Sequence, residues 1–105
     1  MNLRGKKLGV MIACPPGQPG FRHGTRLAET ALVAGLDVYL YCVDQAVPGV
    51  DDPALQALRP RGLKLYACAF GAQQNDLPLR DQAVFAGLTA VSEIIADTDR
   101  FLCFT

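Results

Sequence analysis

The sequence predicts an α/β fold in which a mostly parallel sheet lies between two layers of helices, a three-layer α/β/α sandwich. Three observations lead there. Several short runs are apolar at nearly every position, the mark of strands buried on both faces. Helical segments separate these runs, so successive strands are joined by crossovers rather than hairpins. At 105 residues the chain reads as one domain, residues 1–105, near the commonest domain size. A chain of that length buries roughly two-thirds of its unfolded surface and needs no disulfide or structural metal to fold.

Each element has its own signal. Leu8 to Ala13 is a continuous apolar run and forms the first strand, which stops at Cys14-Pro15-Pro16-Gly17-Gln18-Pro19-Gly20. That segment is too rich in proline and glycine to be regular. A helix comes next, from Phe21 or Thr25 to Ala34, with Leu27, Ala31 and Ala34 on one face and Ala28 and Leu32 beside them. Gly35 is placed to end it as a left-handed cap. Asp37 to Val43 is the second buried strand. Asp51-Asp52-Pro53 introduces a short helix, Ala54 to Arg59, with proline in its first turn and carboxylates at its positive end. Pro60-Arg61-Gly62 closes that helix, and the third strand runs from Leu63 to Ala69. It delivers Cys68 to its end, after which Gly71 to Asp76 is small and polar and reads as a loosened loop. A short fourth strand is expected around Ala83-Val84-Phe85, broken by Gly87. Leu88 to Ala96 then forms a helix with Leu88, Val91 and Ile95 on one side, and Asp97-Thr98-Asp99 turns the chain into a last strand, Arg100 to Phe104.

Composition narrows the function classes. Ten basic and ten acidic residues cancel, and Lys6-Lys7 is the only adjacent basic pair, so there is no footprint for nucleic acid or an anionic membrane. The longest near-apolar run, Ala83 to Val91, is too short to span a bilayer. The amino end faintly imitates a signal peptide, but its apolar part is short and runs into Cys14-Pro15-Pro16 without a small-x-small cleavage site. It reads as the first strand of a cytoplasmic protein. Half of the residues are apolar, a little rich for so small a domain, and the excess is assigned to a subunit interface.

The chemistry rests on four cysteines, Cys14, Cys42, Cys68 and Cys103. No C-x-x-C pair occurs, so a zinc ribbon or thioredoxin-type dithiol has no local support, and a chain read as cytoplasmic is expected to keep its thiols free. Cys14 ends the first strand, Cys42 lies near the end of the second and Cys68 ends the third. All three are candidates for the carboxyl rim of the sheet, where such folds bind ligands. Cys103, between Leu102 and Phe104, reads as a packed core residue, and Cys42 as structural. Cys68 stands apart because of the residues on its carboxyl side. Gly71-Ala72 permits close backbone approach, and a turn of helix there would aim peptide N–H groups at the sulfur, favouring the reactive thiolate. On residues alone the structural and functional readings of Cys68 both stand.

At this point the chain resembles the DsrE/DsrF-like family, whose sulfur-relay branch includes TusD-like subunits. The resemblance covers nearly the whole chain. It is carried by Leu8-Gly9-Val10-Met11-Ile12-Ala13 with its proline-glycine loop, and by Ala34-Gly35-Leu36 before Asp37-Val38-Tyr39-Leu40-Tyr41. It continues through Leu65-Tyr66-Ala67-Cys68, and through Gly87-Leu88 and Asp97-Thr98-Asp99-Arg100 into the last strand. The resemblance implies a five-stranded parallel sheet in a subunit that assembles into dimers, trimers or hexamers. It also implies a sulfurtransferase role, in which a cysteine after the third strand takes up sulfane sulfur as a persulfide and passes it to a partner's thiol. Cys68 occupies that position. Relay subunits usually carry an Arg-Gly pair a few residues further on, where this chain has Gln73-Gln74-Asn75-Asp76, so its donor and acceptor proteins need not be theirs.

Around Cys68 the candidate neighbours are Gly71, Cys14 as a second thiol at the rim, and His23, the single histidine, in the loop after the first strand. Thiolate attack on sulfane sulfur needs one accessible cysteine, so no cofactor and no metal are implied. Arg22, Arg26 and Arg80 are candidate cations near the rim, though a solvated face accounts for each. Three rival readings remain. The loop Pro16 to Gly24 joins a strand to a helix, where phosphates dock, but neither G-x-G-x-x-G nor G-x-x-x-x-G-K-[ST] occurs. Cys14, Cys42, Cys68 and His23 form a conceivable metal set without supporting spacing. The last rival is a non-catalytic oligomeric scaffold with every thiol inert.

Overall fold

The computed structural model describes residues 3–105. Five strands form one sheet in the order β4-β3-β2-β1-β5: β1 (Lys7–Ile12), β2 (Asp37–Cys42), β3 (Lys64–Cys68), β4 (Val84–Ala86) and β5 (Arg100–Phe104). Every neighbouring pair is parallel. The helices are α1 (Pro19–Val33), α2 (Pro53–Leu58), α3 (Ala69–Gln74) and α4 (Leu88–Asp97), with 3₁₀ segments over Asp44–Asp51 and Arg59–Arg61. No helix among the described residues is long and apolar enough to cross a membrane.

The layers arise from crossover handedness. From β1 to β4 the chain steps across the sheet in one direction, so right-handed crossovers put their connecting segments on one face. There α1 lies against β1, where a Cβ added to Gly24 would come within 2.7 Å of Ile12. The single return step, from β4 to β5, puts α4 on the other face, where Ile94 lies 3.2 Å from the Cβ position of Gly9. One face is therefore thickly covered and the other is covered by one helix.

Strand parity shows the difference. Leu8, Val10, Val38, Leu40, Leu65 and Ala67 share the α1 face and are all buried. On the α4 face Met11, Tyr39 and Tyr66 are only half buried, and Val84 is exposed. On α4 itself Ile94 turns to the sheet while Leu88 and Ile95 face outward and Val91 is half buried. The apolar stripe read from the sequence is therefore split between sheet and solvent.

Most element boundaries agree with the sequence reading. Gly35 takes a left-handed φ of 89°, and the Leu36 N–H returns to the Ala31 carbonyl at 3.0 Å, the cap geometry expected for glycine there. Asp52 caps α2, its carboxylate accepting from the Ala54 N–H at 2.8 Å ahead of Pro53. Three places differ. Helix α1 begins at Pro19, inside the segment read as loop, because proline tolerates the first helical turn, where its missing N–H is no loss. The Asp44–Asp51 stretch is a 3₁₀ segment with Ala46, Val47, Gly49 and Val50 buried. The run after Cys68, read as a loosened loop, is the short helix α3.

The fully covered face carries the stability. Leu40 lies on β2 between its two pairing partners and is wholly buried, so Leu40→Ala is expected to cost about 2–5 kcal/mol in chemical denaturation. Val84→Ala, at a 55 % exposed position on an edge strand, is expected to stay within roughly 0.5 kcal/mol of the parent.

Candidate functional site

Cys68 ends β3 and is the residue from which α3 starts. Its backbone is extended, and its sulfur accepts a hydrogen bond from the Gly71 N–H at 3.4 Å. The thiol thus takes the place of an oxygen cap and meets one of the unpaired donors that open a helix. Gly71 is needed for space: a Cβ there would lie 2.8 Å from Val47 of the 3₁₀ segment. The far end of α3 is tied down by Asn75, whose side-chain amide donates to the Gly71 carbonyl at 2.7 Å and to the Asp44 carbonyl at 3.4 Å. Cys68 is 9 % exposed, so only an edge of the residue meets solvent.

A second group converges on the same place. Tyr41 is wholly buried, and its O–H donates to the Ala86 carbonyl at 3.0 Å, with the Gly87 carbonyl at 3.5 Å. In the strand register Tyr41 is level with Tyr66, and Ala86 is level with Cys68. Tyr41 and Cys68 therefore share the α4 face, and the phenol reaches diagonally across β3 to the end of β4, beside the thiol. Burial pushes the Tyr41 phenol well above its ordinary pKa, and the neighbouring Cys68 adds to the rise. Tyr41 stays protonated throughout the physiological range. In the sequence Tyr41 reads only as a strand former; the register across three strands is what brings it to Cys68.

The other candidates are dispersed. Cys14 is buried on the α1 side, its thiol 3.9 Å from the Phe104 carbonyl and 2.8 Å from the Cβ position of Gly20. It fills the carboxyl ends of β1 and β5, the point where strand order reverses and where open parallel sheets bind ligands. Cys42 is level with Ala67, the residue before Cys68, so its side chain points to the opposite face. The three rim cysteines are therefore split by the sheet, with Cys14 and Cys42 on one side and Cys68 on the other. His23 lies on α1 rather than in a loop and is exposed, on the helix that covers the face opposite Cys68. Arg22, Arg26 and Arg80 are exposed as well. Cys103, read as core, is exposed, because β5 is an edge strand and its side chain stands on the thinly covered α4 face beside Met11. Among the described residues no group of three or more His, Cys, Asp or Glu side chains is arranged to hold a metal ion, which removes the structural basis of the four-residue metal set.

A five-stranded parallel sheet in this order, with unequal helix layers, is the α/β fold that the DsrE-like resemblance implied. The chain is similar to the crystal structure of the ychN protein from E. coli, with a TM-score of 0.81 over 95 % of this chain and 99 % of that one. Sequence identity between the two is 19 %, so the likeness establishes the fold. No family model matches the sequence, and no curated protein sequence does so either.

The buried thiol on the α1 side has a measurable consequence. Burial, reinforced by neighbouring Cys14, pushes the Cys42 thiol from an ordinary 9.0 up to about 12. Between those values the unfolded chain releases the proton and the folded chain retains it, so stability falls as pH rises from about 9 to 12. Buried Tyr41, shifted in the same direction, steepens the alkaline end of that fall. Urea denaturation across this range is expected to show the loss, and Cys42→Ala, though less stable at neutral pH, to show a shallower one.

Proposed function

We propose that this chain is a small sulfur carrier that holds sulfane sulfur on Cys68 as a persulfide and passes it to a partner thiol. The observation that carries the reading is the setting of Cys68. It is a free thiol at the carboxyl end of a central-layer strand, with the Gly71 N–H aimed at its sulfur and one edge open to solvent. The N–H that the sulfur caps at the start of α3 is also a donor facing the atom on which the thiolate charge would sit.

The chemistry is two exchanges without net redox change. In the first, the Cys68 thiolate attacks the terminal sulfur of a donor persulfide, R–S–SH. A sulfur–sulfur bond forms on Cys68, the donor's bond breaks, and the donor leaves as the thiolate R–S⁻. In the second, an acceptor thiolate attacks the terminal sulfur of the Cys68 persulfide, takes it with its proton, and leaves the Cys68 thiolate. The Gly71 N–H faces Sγ, which bears the charge in the thiolate before loading and after release. Four free thiols suit a reducing compartment such as the cytoplasm.

The thinly covered α4 face supports an oligomer as part of this reading. Val84, Leu88 and Ile95 are all at least half exposed there, beside half-buried Tyr39 and Tyr66, and a second copy of the chain is the proposed cover. Light scattering is expected to give a mass that is a multiple of 11.3 kDa, reduced to that of one chain by a charge introduced as Val84→Asp.

Sulfur loading is tested by intact-mass analysis after exposure to polysulfide, with peptide mapping and release by reductant. One added sulfur atom is expected on Cys68, lost in Cys68→Ser and retained in Cys103→Ser. Loading confined to exposed Cys103, with Cys68 unmodified in the folded protein, would overturn the carrier reading and leave a structural subunit.

A further inference from the structure

Beside Cys68 lies a polar group that the carrier reading does not use. The Tyr41 hydroxyl is wholly buried, comes from a strand two places away from the one whose carbonyl it meets, and reaches Ala86, the residue level with Cys68, on the face that Cys68 shares. A phenylalanine would fill the same space. What the hydroxyl adds is one donor and two lone pairs. In the resting site the donor is taken by the Ala86 carbonyl at 3.0 Å, and the Gly87 carbonyl, at 3.5 Å, is a weaker alternative.

We infer that Tyr41 is a positioning residue for the Cys68 sulfur, turning its O–H from the Ala86 carbonyl to the sulfur when that sulfur becomes anionic. The rotation moves one hydrogen about the phenol C–O bond and needs no displacement of the backbone. The anionic sulfur then has two donors, the Gly71 N–H from α3 and the Tyr41 O–H from β2, which approach it from different elements. Hydrogen bonds to an ionised acceptor are roughly twice as strong as neutral ones, so the exchange favours the anion despite releasing a carbonyl.

The helix on the sulfur's own face, α4, carries Glu93 and Asp97, both exposed. Neither α3 nor β4 carries a titratable side chain. The 3₁₀ segment brings Asp44 and Asp51, both exposed, and β3 itself brings Tyr66 on the same face and Lys64 at the opposite end. On β2, Cys42 points to the other face, Asp37 and Tyr39 lie further towards the amino end, and Tyr41 is the group at the sulfur.

The inference rests on the carrier reading for its purpose but not for its test, which tracks the thiolate and needs no sulfur donor. Alkylation of Cys68 by iodoacetamide is measured against pH in Cys103→Ser protein, with and without Tyr41→Phe. With the phenol removed, the rate profile is expected to move alkaline by about one pH unit, a roughly tenfold slowing near neutral pH. An unchanged profile accompanied only by a lower melting temperature would make Tyr41 a strap between β2 and β4 and overturn the inference. Should Tyr41→Phe fail to fold, the parent answers the question. Tyr39 and Tyr66 are the other tyrosines and are half exposed, so both are replaced by phenylalanine to leave Tyr41 as the single reporter. Its near-ultraviolet circular dichroism is then expected to change with the same midpoint as Cys68 alkylation and to stay flat over that range in Cys68→Ser. A band indifferent to Cys68 would refute the contact. Failure to take up sulfur, with the alkaline shift intact, would instead remove the carrier reading and leave the hydrogen bond standing.

Discussion

Crossover handedness is the constraint on which the rest of this structure depends. A strand-to-strand connection packs back onto a twisted sheet in one hand only, so the direction of each step selects the face its connection covers. Here the chain steps the same way from β1 to β4 and reverses once. The consequence is a sheet with a dry face under α1 and the connecting segments, and a face that α4 alone cannot cover. Burial along each strand then alternates in quality rather than in kind. Leu8, Val10 and Ile12 are sealed, whereas Met11 between them is half open.

The same asymmetry sorts the thiols. Adjacent positions on a strand point to opposite faces, so Ala67 and Cys68 belong to different halves of the molecule although they are neighbours in the chain. Cys42, level with Ala67, goes with the dry half, where burial suppresses its ionisation. Cys68 goes with the other half, where it meets Tyr41 and the start of α3. Cys14, although at the rim, is enclosed between β5 and the first turn of α1. A sheet can thus carry several cysteines at its carboxyl edge and still expose only one of them to a given chemistry. Free thiols are costly to ionise in an apolar setting, and this separation keeps the structural ones inert.

Helix α3 illustrates how local chemistry can be reversed by packing. Gly71 weakens the middle of α3, and so short a helix has no stability of its own. It forms because Gly71 admits Val47 at close range, Asn75 fastens the carboxyl end to Asp44, and Cys68 supplies the amino-terminal cap. Cys68 is therefore part of what holds the segment after it in shape, so the sulfur and the backbone donor facing it are built together.

The linear chain determined the fold class and most of its elements, for reasons that are local. Apolar runs such as Leu8 to Ala13 demand burial on both faces, Gly35 meets a left-handed turn that other residues avoid, and Asp52-Pro53 carries its own helix start. It also singled out Cys68 and Gly71, because a strand ending in a thiol before a close-packing glycine is a local pattern. What only the tertiary structure decided depends on register and handedness, which no window of neighbouring residues contains. The pairing of Tyr41 with Cys68 spans two strand ladders, and the exposure of Cys103 depends on β5 lying at the edge of the sheet. The separation of Cys14 and His23 from Cys68 depends on which face the first crossover took. Those are relations between strands, and they arise only once the sheet has assembled.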